Sequence, residues 1–308
     1  MDLPLPIDFE ARYGAGTRRG LVLGGGGIFF IAWQVSYLNT LARAGVDLTR
    51  AERVVGTSAG SMIAAIYTSG GLGRFARTVE LLSHAPGLVS ALAPAGNLKP
   101  SQNRALDLFR TADNAEPPTV QAIGRAALAA AAAPAANMRR TATLMIGRRR
   151  WPAASLRITT VDAYSGERLV IDHRAGVPIP VAAAASGTVP GLFAPQLIHD
   201  RYCMDGGVSG SGIHTDLVAG TKRAFVLSLS EAFRDLGPRP GGLTQRPGAY
   251  QAELEALAAS GTEVLTVGPE HADLTTLMDP RTVPDAMAMG ARQAQADTGR
   301  IRAFWSGG

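Results

Sequence analysis

One stretch, Val55 to Ser61, constrains the fold of this 308-residue chain more than any other. At its centre is Gly56-Thr57-Ser58-Ala59-Gly60, with apolar residues before it and a helix-forming run behind it. A strand, a sharp turn and a helix in this order hold a serine in a strained conformation at the edge of a sheet. Glycines flank the serine because side chains there would collide with a neighbouring strand or helix. The pattern predicts Ser58 as a nucleophile, although these five residues alone are also compatible with an ordinary turn.

A second glycine-rich turn lies earlier in the chain. Gly24 to Gly27 follow a short apolar strand and precede a helix predicted over residues 28–44. Uncrowded glycine N–H groups at the positive end of a helix form a cradle for an anion. A dinucleotide-binding fingerprint fails here because its last glycine would fall at Phe29, and no P-loop lysine follows. The turn therefore favours an oxyanion hole for Ser58, with donors at Gly25, Gly26, Gly27 and Ala59.

Strands and helices alternate along the chain, which predicts an α/β fold. We expect three layers, α/β/α, around a mostly parallel central sheet. Both glycine turns then lie at the carboxyl ends of parallel strands, where active sites form. An antiparallel hairpin is predicted from 156–161 and 168–171, and later helices from 251–259 and 284–304. We expect an extended lead-in over residues 1–19 and a single catalytic domain over 20–308.

The segment from about 74 to 150 is helical in pattern, rich in alanine and interrupted by prolines. We expect its helices to lie over one end of the sheet, in the position of a lid. It contains the basic cluster Arg139, Arg140 and Arg148–Arg150. Such a cluster is usually a solvated surface, and the alternative is contact with an anionic membrane. Further along, a Pro/Gly-rich loop is predicted at 237–248.

A serine nucleophile needs a base, and the residues leave two kinds open. His214 and His271 lie late in the chain, where a Ser/His/Asp hydrolase commonly has its histidine, but either is also compatible with an ordinary loop position. Asp205 follows an apolar run and precedes Gly206-Gly207. A buried carboxylate can accept the serine proton itself if desolvation raises its pKa. On its own, however, Asp-Gly-Gly is usually a turn.

These segments together resemble the patatin-like phospholipase family, in particular its bacterial members. Gly24–Gly27 resembles the family's oxyanion motif, Gly56–Gly60 its nucleophile turn, Asp205–Gly207 its catalytic aspartate motif and Ala185–Pro190 a fourth block. The resemblance spans residues 21–207. It implies a patatin-like fold and hydrolysis of lipid acyl esters by a Ser58–Asp205 dyad, with no metal and no cofactor.

Two departures from the family pattern affect the expected substrate. Ile28-Phe29-Phe30 stand where many members carry Arg or Lys, and we expect Phe29 and Phe30 to narrow the site or line an acyl pocket. The segment after Gly207 also lacks the Asn-Pro found in plant-type members. The alternatives to a dyad hydrolase are a Ser/His/Asp esterase using His214 or His271, and a lipid-binding protein without activity.

The amino-acid composition restricts the kinds of binding partner that we expect. The net charge of +5 is carried almost entirely by arginine, and no basic stripe is interleaved with aromatic residues, so we expect no nucleic-acid partner. A lipid or another acyl ester is the expected substrate. The first 19 residues lack the apolar core of a signal peptide, and no apolar run reaches the length of a membrane span. We therefore expect a cytoplasmic protein, at most peripheral at the membrane.

Overall fold

The computed structural model describes residues 3–83, 97–236 and 248–307. Eight strands form one sheet: β1 Arg19–Leu23, β2 Arg53–Thr57, β3 Leu156–Asp162, β4 Arg168–Ile171, β5 Gln196–Ile198, β6 Arg201–Asp205, β7 Arg223–Leu227 and β8 Glu263–Val267. The α-helices of the described residues are α1 Gly27–Arg43, α2 Ala59–Thr68, α3 Leu72–Ser83, α4 Pro100–Thr111, α5 Pro117–Ala129, α6 Ala135–Ile146, α7 Ile179–Ser186, α8 Ala249–Ala259 and α9 Val283–Ser306.

The sheet is mixed, with most of its strands parallel, as the sequence predicts. Its order is β5-β6-β3-β2-β1-β7-β8, and β4 also pairs with β3. The run β3-β2-β1-β7-β8 is parallel, whereas β4, β5 and β6 pair antiparallel. The short connections from β3 to β4 and from β5 to β6 explain two of these antiparallel pairs, because parallel neighbours need a crossover of a dozen residues or more. They do not explain why β6 also runs antiparallel to β3.

Successive side chains of β1 point to opposite faces of the sheet. Leu21 and Leu23 join a core cluster with residues of α1, α2, α7 and α9. Val22 belongs to a smaller cluster on the opposite face, together with Leu217 and Leu257. Leu217 lies in a 3₁₀ turn, Thr215–Val218, and Leu257 lies in α8. The fold therefore has the three predicted layers, but one helical layer is much thinner than the other.

Helix α1 contributes ten buried residues, and it joins the first glycine turn to the core. Trp33 and Tyr37 are fully buried, and their polar atoms bond to α9. Trp33 Nε1 donates to Gln293 Oε1 at 2.8 Å, and the Tyr37 hydroxyl donates to Asp297 Oδ2 at 2.8 Å. Burial of α1 on several faces, predicted from its apolar pattern, is confirmed. The sequence places both α1 and α9 within two residues of their observed bounds.

The predicted helical block at 74–150 corresponds to α3, α4, α5 and α6, although residues 84–96 lie outside the described part of the chain. The predicted loop at 237–248 lies outside it as well, except for Gly248. Helices α4 and α5 form a second cluster with the ends of β3 and β6 and the loop before β5; its members include Phe109, Ile123, Val161, Phe193 and Met204. These helices therefore cover the end of the sheet where β2 leads into the serine turn.

A close backbone approach holds α2 against β1, and it can be tested by substitution. An added Cβ at Gly60 would lie 1.9 Å from the carbonyl oxygen of Leu23, so Gly60→Ala should lower the free energy of unfolding by about 3 kcal/mol or more. In α9, an added Cβ at Gly299 would meet nothing within 4 Å. Gly299→Ala should therefore raise the free energy of unfolding by about 0.5–1 kcal/mol. Urea titrations measure both, and equal effects would contradict this account of Gly60.

Candidate active site

Ser58 lies in a strained turn between β2 and α2. Its φ of 53° and ψ of −122° are rare for a residue with a side chain. Steric contacts enforce this turn, because an added Cβ at Gly56 would lie 2.7 Å from Ser61 Cα. Two hydrogen bonds also hold the backbone of Ser58: its N–H donates to Ser186 Oγ at 2.8 Å, and its carbonyl accepts from Ser61 Oγ at 2.6 Å. The geometry projects a half-buried hydroxyl from a rigid backbone.

The serine hydroxyl meets a carboxylate. Ser58 Oγ donates to Asp205 Oδ2 at 2.7 Å. Strand register brings the two side chains together, because Thr57 pairs with Thr159 across β2 and β3, while Thr160 pairs with Asp205 across β3 and β6. Asp205 reaches this position only because β6 runs antiparallel to β3. The sequence predicts both residues but not this strand direction.

Asp205 is almost completely buried, with 2% of its surface exposed. Its Oδ1 accepts the N–H of Gly207 at 2.8 Å, and its own N–H donates to the carbonyl of Thr188 at 2.9 Å. Burial raises the pKa of Asp205 to about 7, against the lowering effect of the bonds from Ser58 and Gly207. This carboxyl group therefore titrates in the range of an ordinary histidine, and it can take up and release a proton near neutral pH.

The predicted oxyanion glycines lie beside the serine. An added Cβ at Gly25 would lie 2.9 Å from Ser58 Cβ. Gly24 and Phe29 donate their N–H groups to the carbonyls of Leu227 and Leu277. Between them, the N–H groups of residues 25–28 form no hydrogen bond within the described ranges, and the same holds for Ala59. Gly25, Gly26 and Gly27 also line one small cavity, of about 40 Å³, together with Ser58 and Asp205.

The two candidate histidines differ from Asp205 in their contacts and exposure. His214 is fully buried, and its Nε2 donates to the carbonyl of Gly206 at 2.9 Å. Its Nδ1 lies 3.5 Å from Arg168 Nη1, and Arg168 forms a bidentate ion pair with Asp216. Both ring nitrogens of His214 are thus engaged, one of them by the turn that carries Asp205. His271 is exposed.

Ser186 is a supporting residue to which sequence reasoning assigned no role. It lies at the end of α7, inside the Ala185–Pro190 block, so the motif marks its position but not its contact with the N–H of Ser58. Ser186 and Ser61 are both fully buried, whereas Ser58 is half-buried. Ser58 is therefore the most accessible of the three hydroxyls.

A large apolar cavity of about 470 Å³ opens beside Ser58. Its wall is formed by Ser58 and by apolar side chains from several helices and from the loop before β5, including Ile28, Ile31, Met62, Phe75, Met145 and Phe193. The expectation that Phe29 and Phe30 line this pocket is wrong, since neither belongs to its wall. Phe30 is fully buried in the core and stacks on Trp33, with 5.4 Å between ring centroids. The helical repeat instead turns residues 28, 31 and 32 of α1 toward the cavity.

Within the described ranges, no group of three or more His, Cys, Asp or Glu side chains is arranged to hold a metal ion. In the same part of the chain, no helix has the length and apolar character needed to cross a membrane.

Burial of the Asp205 carboxyl group predicts the direction in which the stability of the fold changes with pH. Its pKa of about 7 lies above the ordinary 3.8, so between these values the folded protein holds a proton that the unfolded chain has released. Stability should therefore fall as pH rises from about 4 to about 7 and stay low above that. Asp205→Asn removes this cost and should be more stable than the unmodified protein at pH 8, by on the order of 1–4 kcal/mol, with no gain near pH 4. Denaturant titrations at both pH values measure this.

Asp107→Asn is the control for this prediction, because Asp107 is an exposed aspartate on α4. It changes the net charge equally without removing a buried carboxylate. A stabilisation of Asp205→Asn that is the same at both pH values, or that Asp107→Asn reproduces, would contradict the explanation by burial.

Comparison with known proteins places the chain in a family. A family model described as patatin-like phospholipase matches residues 21–219, about two-thirds of the chain. Among solved structures, VipD from Legionella pneumophila is 13% identical, with a TM-score of 0.41, and the match covers 94% of this chain and 68% of VipD. The type III effector protein ExoU is 18% identical, with a TM-score of 0.34, and the match covers 92% of this chain and 54% of ExoU.

The present chain thus spans about half the length of ExoU. No curated protein sequence matches it significantly. The two structural similarities are too weak to bear on activity, so the assignment rests on the family match. The chain belongs to the patatin-like phospholipase family.

Proposed function

We propose that this protein is a serine acyl hydrolase that cleaves acyl esters of lipids through Ser58 and Asp205. Family membership makes it a lipid ester hydrolase in the general sense. The 2.7 Å hydrogen bond from Ser58 Oγ to the buried Asp205 carboxylate is the observation that carries the finer assignment. A nucleophile and its base must lie within hydrogen-bond reach, and this pair does. No step of the proposed chemistry requires a metal or a cofactor.

In the first step, the Asp205 carboxylate takes the proton of Ser58 Oγ, and Oγ attacks the ester carbonyl carbon. A bond forms between Oγ and that carbon, and the carbonyl electrons move to oxygen as an oxyanion. We assign its stabilisation to the N–H groups of Gly25, Gly26 and Gly27, with Ala59 as a further donor. Each aligned donor typically contributes about 3 kcal/mol in the transition state.

In the second step, the oxyanion collapses, the bond to the alcohol oxygen breaks, and protonated Asp205 gives its proton to the leaving alcohol. The acyl group remains on Ser58. Asp205 then takes a proton from water, and the water oxygen forms a bond to the acyl carbon. The bond from that carbon to Oγ breaks, Asp205 returns the proton to Oγ, and the fatty acid leaves. A pKa near 7 suits a group that must accept and donate a proton in turn near neutral pH.

The large cavity beside Ser58 supports the proposal that the acyl half of a lipid ester binds there. Its wall is mostly aliphatic, with Ile28, Ile31 and Met62 among its residues. An apolar chain that enters such a cavity leaves water, which contributes about 0.8 kcal/mol for each buried methylene group. A small polar acyl group would gain much less. We therefore assign the cavity to the fatty acyl chain.

Substitution distinguishes the dyad from a histidine relay. Ser58→Ala and Asp205→Asn should each lower kcat/KM for a p-nitrophenyl ester by more than about a hundredfold, because residues that act as a unit fail together. His271→Ala should lose less than that. His214→Gln keeps an N–H donor for the Gly206 carbonyl and should also lose less than about a hundredfold, the smallest typical cost of removing a general base.

A fluorophosphonate probe gives an independent readout of the same assignment. It should label Ser58 and leave Ser61 and Ser186 unmodified, because both of these are fully buried. An inactive but folded His214→Gln or His271→Ala, with substantial activity left in Asp205→Asn, would favour the histidine relay. Lipid binding without turnover or labelling would favour the non-catalytic alternative.

We further propose that the surface around the large cavity contacts anionic membrane. Leu81 of α3 and Leu144 of α6 are 73% and 69% exposed, and Leu144 also lines the cavity. Arg140 and Arg148–Arg150, from the basic cluster, are exposed at and just beyond α6. An apolar rim with cations beside it matches the interface of an anionic bilayer.

This surface predicts salt-sensitive binding to vesicles. The protein should sediment with phosphatidylglycerol vesicles at low salt and less at high salt, because salt screens charge attraction. Leu144→Ser should weaken binding, whereas Leu197→Ser, at an exposed leucine of β5, should not. Binding that is absent at low salt, or equal for the two variants, would contradict a membrane-facing role for this surface.

A further inference from the structure

Two cavities meet at Ser58, and they differ in character. The large one is lined mainly by apolar side chains. The small one contains Asp205 and the glycine turn, and Ser58 and Gly27 line both. Arg110 of α4 also lines the small cavity, and it is the one basic side chain among the residues of its wall. The start of α1 adds no basic side chain, because Ile28, Phe29 and Phe30 follow the glycines.

The position of Asp205 decides which half of an ester lies on which side. Asp205 must deliver a proton to the leaving alcohol oxygen, so that oxygen has to approach the small cavity. The acyl chain then extends into the large one. The small cavity, at about 40 Å³, cannot hold more than the atoms next to the ester bond. The rest of the alcohol must therefore extend beyond its rim, where Arg110 is exposed.

Arg110 is free to bind an anion there, and its helix is fixed in place. Its side chain forms no ion pair or hydrogen bond with any residue in the described ranges. Its neighbours on α4, Leu106 and Phe109, are buried in the same cluster as Val189 and Leu192. These four residues line the small cavity too, so the packing that fixes α4 also fixes the rim. A guanidinium presents a planar set of donors that matches phosphate oxygens.

We propose that Arg110 is a specificity-determining residue that binds a phosphate carried by the alcohol half of the substrate. The proposal rests on the proposed function, because it places the leaving alcohol by the role of Asp205. It assigns the acyl chain to the apolar cavity and an anionic phosphodiester to the Arg110 side of Ser58. Esters whose alcohol is uncharged would lack this contact.

Two short-chain substrates used below their micelle concentrations test the proposal without a membrane surface. One is a dihexanoyl phosphatidylglycerol, and the other is dihexanoylglycerol, an uncharged ester. Arg110→Gln should lower kcat/KM for the phosphate ester by roughly 3- to 10-fold, mainly through KM, and leave the uncharged ester unchanged. Arg110→Lys should recover part of the loss. High salt should reduce the difference between the unmodified protein and Arg110→Gln.

Arg104→Gln is the matched control, because Arg104 lies on the same helix, is exposed, and belongs to neither cavity at Ser58. It removes the same charge and should change neither substrate. Equal losses on both substrates, an equal loss in Arg104→Gln, or no loss in Arg110→Gln would each overturn the proposal. Hydrolysis of the uncharged ester that still depends on Ser58 would then leave the proposed function standing. If hydrolysis of the uncharged ester did not depend on Ser58, the proposed function itself would be contradicted.

Discussion

The hydrogen bond between Ser58 Oγ and Asp205 Oδ2 is the interaction on which the rest of the site depends. It joins a strained serine to a carboxyl group that is nearly without solvent, and burial raises the pKa of that group to about 7. The bond from Ser58 and the bond from Gly207 offset part of the cost of burying the charge. The same environment that destabilises the carboxylate makes it a stronger base, so stability and reactivity are opposed at Asp205.

Close backbone contacts and side-chain hydrogen bonds together hold this pair in place. Helix α2 approaches β1 so closely that only glycine fits at position 60, and the turn at Gly56 is crowded as well, though less severely. Ser186 and Ser61 bind the backbone of Ser58 from two sides. Such a turn keeps its positive φ because the surrounding structure leaves no room for it to relax. Beneath it, α1 is anchored to α9 through bonds that Trp33 and Tyr37 donate.

The two cavities on either side of Ser58 differ in the side chains that line them. The apolar cavity lies on one side, and the small cavity with Asp205 and Arg110 lies on the other. His214 belongs to neither wall. It supports the aspartate turn from behind through the Gly206 carbonyl, while Arg168 and Asp216 neutralise each other next to it. This buried network has no contact with Ser58 in the bonds described above, which fits a supporting position better than a base.

The sequence by itself determined the features that are local. Both glycine turns, the candidate nucleophile, the Asp-Gly-Gly turn and the bounds of the long helices follow from steric and periodic rules that act over a few residues. Only the tertiary structure decided the antiparallel direction of β6, which brings Asp205 opposite Thr160 and next to Ser58. It also decided that Phe30 packs in the core, that Ile28 and Ile31 face the cavity, and that Asp205 loses its solvent. These outcomes depend on contacts between residues far apart in the chain, and periodicity and composition contain no information about which distant segments will meet.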